Sequence, residues 1–229
     1  FKDKKLCDIT PKDVICWQNE IMKQTSRRDK EFSPTYLKTV HNQLSAIFNY
    51  AVRYYGLKDN PARIAGCMGK ETNGEMQFWT KEEYMKFSKA MMKKDGVFQA
   101  FEMLYWCGIR LGEMLALTPS DFDFEKNTVR INKSYQRLHG KDIITDPKTA
   151  KSNRVVQMPD FLADEMQDYI SRFYTIEPDE RIFILTKSFL HHEMDRGCKE
   201  TGVKRIRIHD LRHSHVSLLI EMGFTAVDI

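Results

Sequence analysis

The chain is 229 residues long, 41% hydrophobic and 30% charged, with a formal net charge of +4 at pH 7. No apolar run approaches the roughly 18 residues that a membrane helix needs, so no membrane span is expected. Such a composition belongs to a globular protein of one large or two small domains.

Residues 1–70 hold 13 Lys and Arg against 7 Asp and Glu, and the remainder 23 against 25. The basic excess therefore lies in the first third, which suits nucleic acid or another anionic surface. The opening Phe1-Lys-Asp-Lys-Lys5 lacks the apolar core of a signal peptide and reads as a cut inside a longer protein. Cys7, Cys16, Cys67, Cys107 and Cys198 are odd in number and never form C-x-x-C, so they read as free thiols in a reducing cytoplasm.

The first predicted helix runs from Thr10-Pro11 to Met22, with a threonine cap and proline at its first position. A longer one follows Ser33-Pro34 and stops before Gly56. Leu37, Val40, Leu44, Ile47, Phe48, Ala51 and Val52 make its expected core stripe. The opposite line, Lys38, Asn42, Ser45, Asn49 and Arg53, could lie along a DNA groove or be an ordinary solvated face. These helices predict a small all-helical domain over 1–65, followed by a glycine-containing linker over 66–77 and a second domain over 78–229.

In the second domain Thr80-Lys-Glu-Glu83 is a capping box, and an apolar helix including Val97–Leu104 reaches Cys107-Gly108. Residues 128–131, 142–145 and 154–158 are short and β-branched, predicting one small antiparallel sheet with a basic turn at Lys148–Asn153. Helices are expected again from Asp160 and near His209. The fold class is mainly α with a small antiparallel sheet.

Three basic islands could carry chemistry. In Cys107-Gly-Ile-Arg-Leu-Gly-Glu113 a glycine ends the helix, and Glu113 can reach back to Arg110, whose planar fork suits a phosphate. The same pair could be only a structural ion pair. Lys148 and Lys151 lie in the predicted turn, where an ammonium could protonate a leaving alkoxide or merely keep an edge soluble. In Ile208-His-Asp-Leu-Arg-His213, His209 shares a helix face with Arg212 and His213. Two histidines four apart also fit zinc helices, but Asp210 stands where the metalloprotease motif has Glu, and Arg212 puts a cation between the ligands. No metal or other cofactor is expected. Together the islands form a set of cations and proton donors for a phosphodiester.

These segments resemble the tyrosine recombinase family. Cys107–Glu113 with Leu115-Ala-Leu-Thr-Pro-Ser-Asp121 is similar to its first box, Pro147-Lys-Thr-Ala-Lys-Ser-Asn-Arg-Val155 to its lysine segment, and His209-Asp-Leu-Arg-His213 to its second box. Ser33-Pro-Thr-Tyr36, Phe48-Asn-Tyr-Ala-Val52 and Asn60-Pro61 resemble the helical core-binding domain of phage and conjugative-transposon integrases. The resemblance implies a core-binding domain followed by an α+β catalytic domain that cuts and rejoins DNA through a 3′-phosphotyrosyl intermediate.

By that similarity Arg110 and Arg212 clamp the scissile phosphate, and His209 assists proton transfer. Glu113 and His213 support the site, Lys148 or else Lys151 protonates the leaving oxygen, and Lys38, Asn42, Arg53 and Arg154 contact DNA. The implied partners are double-stranded DNA at element ends and crossover sites and further copies of the protein on paired sites. The implied location is the bacterial cytoplasm, on the nucleoid when DNA-bound.

The family's next box, L-G-H, and its tyrosine nucleophile lie beyond Arg212, whereas no tyrosine follows Tyr174 here. Residues 1–229 are therefore expected to bind DNA without cleaving it, and the family's arm-binding domain is not among them. A non-catalytic DNA-binding module has no need of this ordered set of cations. A type IB topoisomerase shares the chemistry, but the integrase-like first domain disfavours it.

Overall fold

The computed structural model describes residues 1, 3–26, 29–69, 75–146 and 153–225, in two compact units, Phe1–Glu75 and Met76–Ile229. The first unit is helical. Thr10 caps α1 (Pro11–Lys23) by accepting from the Asp13 amide at 3.2 Å, while Asp13 accepts from the Thr10 amide at 2.9 Å. Ser33 caps α2 (Pro34–Tyr54), and Asn60 caps α3 (Pro61–Ala65) through the amides of Ala62 and Arg63.

Val14, Leu37, Phe48, Ala51 and Ala62 are buried. Ile47 and Val52, expected in the same stripe, are exposed. Their place on the buried face goes to His41, whose Nδ1 lies 3.1 Å from the Gln18 side-chain nitrogen. A polar pair inside hid that face from a reading that counted only apolar residues.

The second unit surrounds its apolar core with helices. Trp79, Tyr84, Phe87, Phe101, Tyr105 and Phe183 are almost fully buried, a large part of the favourable transfer energy at roughly 1.5–3 kcal/mol for a buried side chain. Helix α4 (Lys81–Met91) packs on α5 (Val97–Trp106), and α5 in turn on α6 (Leu111–Met114), α7 (Asp160–Ser171) and α9 (Asp210–Glu221). Helix α8 (Lys187–Thr201) lies against α4, where Gly197 lets the Phe87 ring and the Met91 methyl come close. Its buried Leu190, Met194 and Cys198 recur at steps of four, but the polar residues between them obscure the stripe in the sequence. Among the described residues no helix is long and apolar enough to cross a membrane.

The strands form two sheets rather than the single sheet expected. β1 (Phe122–Asp123), β2 (Thr128–Ile131) and β5 (Arg154–Gln157) make one antiparallel sheet, with Thr128 opposite Gln157 and Ile131 opposite Arg154. β3 (Ser134–Leu138) and β4 (Lys141–Thr145) make a separate hairpin. β4 and β5 thus pair with different partners and not with each other, whereas the sequence placed them in one sheet. β3 escaped notice because it is largely polar. Its one buried residue, Tyr135, is held by the Arg181 guanidinium 3.9 Å from its ring centre and by a 2.9 Å hydrogen bond donated to Asp142.

Glu102 on α5 ties this scaffold together. Its buried carboxylate accepts from the Tyr84 hydroxyl at 2.6 Å, the Ser88 hydroxyl at 2.7 Å and the Trp106 indole at 2.7 Å. Glu102→Leu strands these donors and is expected to cost about 1–3 kcal/mol in urea unfolding, whereas an unchanged midpoint would contradict the role assigned to it.

Candidate active site

Helix α5 ends at a turn that only glycine accommodates. Gly108 has φ +58°, and a Cβ there would stand 2.4 Å from Cδ2 of His215 on α9. Two residues on, Arg110 precedes α6, and Glu113 folds back onto it. The Glu113 carboxylate accepts from the Arg110 amide at 2.9 Å and from its Nη1 at 2.8 Å. It also accepts from Arg154, at 2.8 Å from Nη2 and 3.3 Å from Nη1. Burial pushes the Glu113 carboxyl up, but the bonds from Arg154 and then Arg110 outweigh it and leave the acid below its ordinary range.

Helix α9 brings the other half. Ser214 anchors it by accepting from the Trp79 amide at 2.9 Å, and Asp210 is held by the amide and guanidinium of Arg207. Arg212 Nη1 donates to the Gly108 carbonyl at 2.6 Å, so both site arginines are referred to the same turn. Burial and then the charges of Arg110 and Arg154 loosen the Arg212 proton, with Glu113 opposing them.

His209 stands just before α9 in helical conformation, with its ring 5.6 Å from that of His213 and edge-on to it. Burial first and the His213 charge second lower its pKa, which keeps a neutral imidazole at neutral pH.

Of the residues singled out from sequence, the structure brings together Arg110, Glu113, Arg154 and Arg212, and it sets His209 and His213 at the start of the helix that carries Arg212. Arg154, expected as a DNA contact, is turned onto Glu113. Lys148 and Lys151 lie outside the described residues. Lys38, Asn42 and Arg53 lie on α2 in the first unit, where Arg53 covers the Tyr54 ring. Their neighbours Ser45 and Asn49 are occupied by the Asn60 side chain, which interrupts the polar line.

Sequence reasoning missed the inward face of Arg154. Val156 packs on the core, and alternation places Arg154 on its side of β5, while Val155 and Gln157 are exposed. It also missed His215, whose ring lies against the Gly108 turn and whose buried Nδ1 has no hydrogen-bond partner among the described residues. Among the described residues no cluster of His, Cys, Asp and Glu could hold a metal ion.

The arrangement is thus a carboxylate-braced group of three guanidiniums beside a neutral imidazole. The sequence profile of the phage integrase family matches residues 77–229. The chain belongs to this family.

The ICEBs1 integrase of Bacillus subtilis strain 168 is 30% identical over 90% of this chain and 62% of its own length. The chain spans about six tenths of the length of the curated relatives it matches. Among solved structures, the Tn1549 transposon integrase in complex with a circular intermediate DNA superposes with a TM-score of 0.76 at 17% identity, over 96% of this chain and 75% of that one. A lambda integrase dimer bound to a COC′ core site gives 0.61 at 18%, over 96% and 60%. The tyrosine recombinase catalytic-domain fold is therefore that of the second unit.

His215 allows a pH test. Burial lowers its pKa from 6.5, so the unfolded chain binds the proton more readily, and its contribution to stability is lost as the pH falls below that value. Glu165, pushed up to about 7 by burial and then by Glu102, acts in the opposite sense over the same window. The diagnostic is thus a difference. Between pH 7 and 5.5, wild type should lose more unfolding free energy, or gain less, than His215→Gln, and parallel curves would contradict the assignment.

Proposed function

We propose that this chain is the DNA-binding and phosphate-holding part of a site-specific recombinase of a phage or integrative element. The observation that carries the reading is the tether of Arg212 to the Gly108 carbonyl, two residues before Arg110, which gives two guanidiniums a common reference. A single non-bridging phosphate pair suits such a fork arrangement, and charge placed in advance stabilises an in-line displacement at phosphorus.

In this reading Arg110 and Arg212 hold the scissile phosphate, Glu113 braces Arg110, and His209 exchanges a proton at the phosphate with His213 against its ring. Lys148 or Lys151 protonates the leaving 5′ oxygen, and Lys38, Asn42 and Arg53 follow the DNA backbone. No tyrosine follows Tyr174 within residues 1–229, so in this reading these residues alone bind duplex without forming a covalent adduct. The partners are double-stranded DNA and further copies of the protein on paired sites, in the cytoplasm of a bacterial cell. No cofactor takes part. The DNA-bound state of the Tn1549 integrase and the dimeric, DNA-bound state of lambda integrase support this choice of partners.

The test uses a protein that carries the nucleophile and a duplex nicked beside the cut, so that the covalent adduct accumulates. Arg110→Ala and Arg212→Ala should each slow adduct formation by about 10²–10³-fold, or about 2.7–4 kcal/mol, with duplex affinity nearly kept. An adduct formed at wild-type rate by either variant removes that arginine from the site. For residues 1–229, log affinity for duplex should fall with log salt at a slope of about 0.9 per phosphate contacted, and a flat plot counts against DNA as the partner.

A further inference from the structure

Arg154 opens β5, two residues after the stretch 147–152 that carries Lys148 and Lys151. Its fork closes on one side of the Glu113 carboxylate, and Arg110 bonds the other. The Glu113 side chain is 8% exposed, Arg154 26% and Arg110 52%, so the acid lies inside, and Arg110 reaches outward. Arg110 and Glu113 alone form a neutral pair, which attracts an anion only as a dipole. With Arg154 and Arg212 the group sums to three positive charges and one negative. A phosphodiester carries one negative charge and concentrates more on its non-bridging oxygens during displacement.

We propose that Arg154 is a positioning residue that acts through Glu113, neutralising the buried carboxylate from behind so that Arg110 keeps its charge for a phosphate oxygen. This rests on the phosphate-site reading above. Among the bonds that hold Glu113 low, the one from Arg154 outweighs either single bond from Arg110, although burial pushes the acid up. The two-pronged contact needs the planar guanidinium, which a lysine does not supply. Through the same contact β5 is fixed to the α5–α6 turn, so the start of the strand that follows the lysine stretch is registered to Arg110.

Two measurements on residues 1–229 test this, with Arg154→Gln, Glu113→Gln and the double variant. In the first, the Glu113 carboxylate is titrated by 13C NMR, where Arg154→Gln should raise its midpoint by at least about one pH unit, because burial then acts with less opposition. An unchanged midpoint overturns the proposal. In the second, inorganic phosphate is added while the Nε–H signals of Arg110 and Arg212 are followed. Arg154→Gln should weaken phosphate binding roughly tenfold, and the double variant, with the wild-type net charge restored, should return to within about threefold of wild type.

Equal affinity in wild type and Arg154→Gln, or a double variant as weak as the single one, overturns it. If Arg154→Gln does not fold, the double variant against wild type decides on the same criterion. Absence of any phosphate-dependent shift in wild type removes the phosphate site itself and this proposal with it, a failure visible before any variant is compared.

Discussion

A carboxylate taken out of water is costly unless its lone pairs are filled, and Glu113 fills them with one backbone amide and two guanidiniums. Much of the second unit follows from that requirement. The amide contact starts α6, the Arg110 contact aims that side chain outward, and the Arg154 contact fixes the first residue of β5, which the ladder places opposite Ile131 of β2. Removing any one partner leaves a buried charge short of a bond, so helix, strand and site arginine are held in register by one group. The bonds also keep the acid ionised against its burial.

The second constraint is steric and belongs to Gly108. The +58° φ turns the chain sharply after α5, and the His215 ring occupies the space a side chain would fill. Close approach of α9 to this turn lets Arg212 reach the Gly108 carbonyl. Around it the buried rings of α4 and α5, bound through Glu102, form a stiff support. Guanidiniums that repel one another stay close because backbone and carboxylate bonds hold them, which is the condition for stabilising charge as it develops on a substrate.

Local chemistry was legible in the sequence where one residue decides it. Thr10, Ser33 and Thr80 begin helices because their side chains accept amide hydrogens, and proline follows the first two caps. Glu113 could be placed on Arg110 because three residues separate them on a helical turn. What stayed hidden depends on contacts between distant segments. The division of the strands into two sheets turns on β3, which shows almost no apolar alternation, and α8 carries its stripe among charged residues. The pairing of Arg154 with Glu113 spans 41 positions, and that of Arg212 with Gly108 spans 104. Motif order placed these residues in one reaction, but only the folded chain shows which groups bond.

That Arg110 and Arg212 hold one phosphate between them is tested most directly by a structure of the protein bound to duplex DNA. The account predicts a single backbone phosphate whose non-bridging oxygens lie about 2.7–2.9 Å from nitrogens of both arginines, with His209 beside it and Glu113 still between Arg110 and Arg154. Arginines that address different phosphates, or face solvent while the duplex is bound elsewhere, would contradict it.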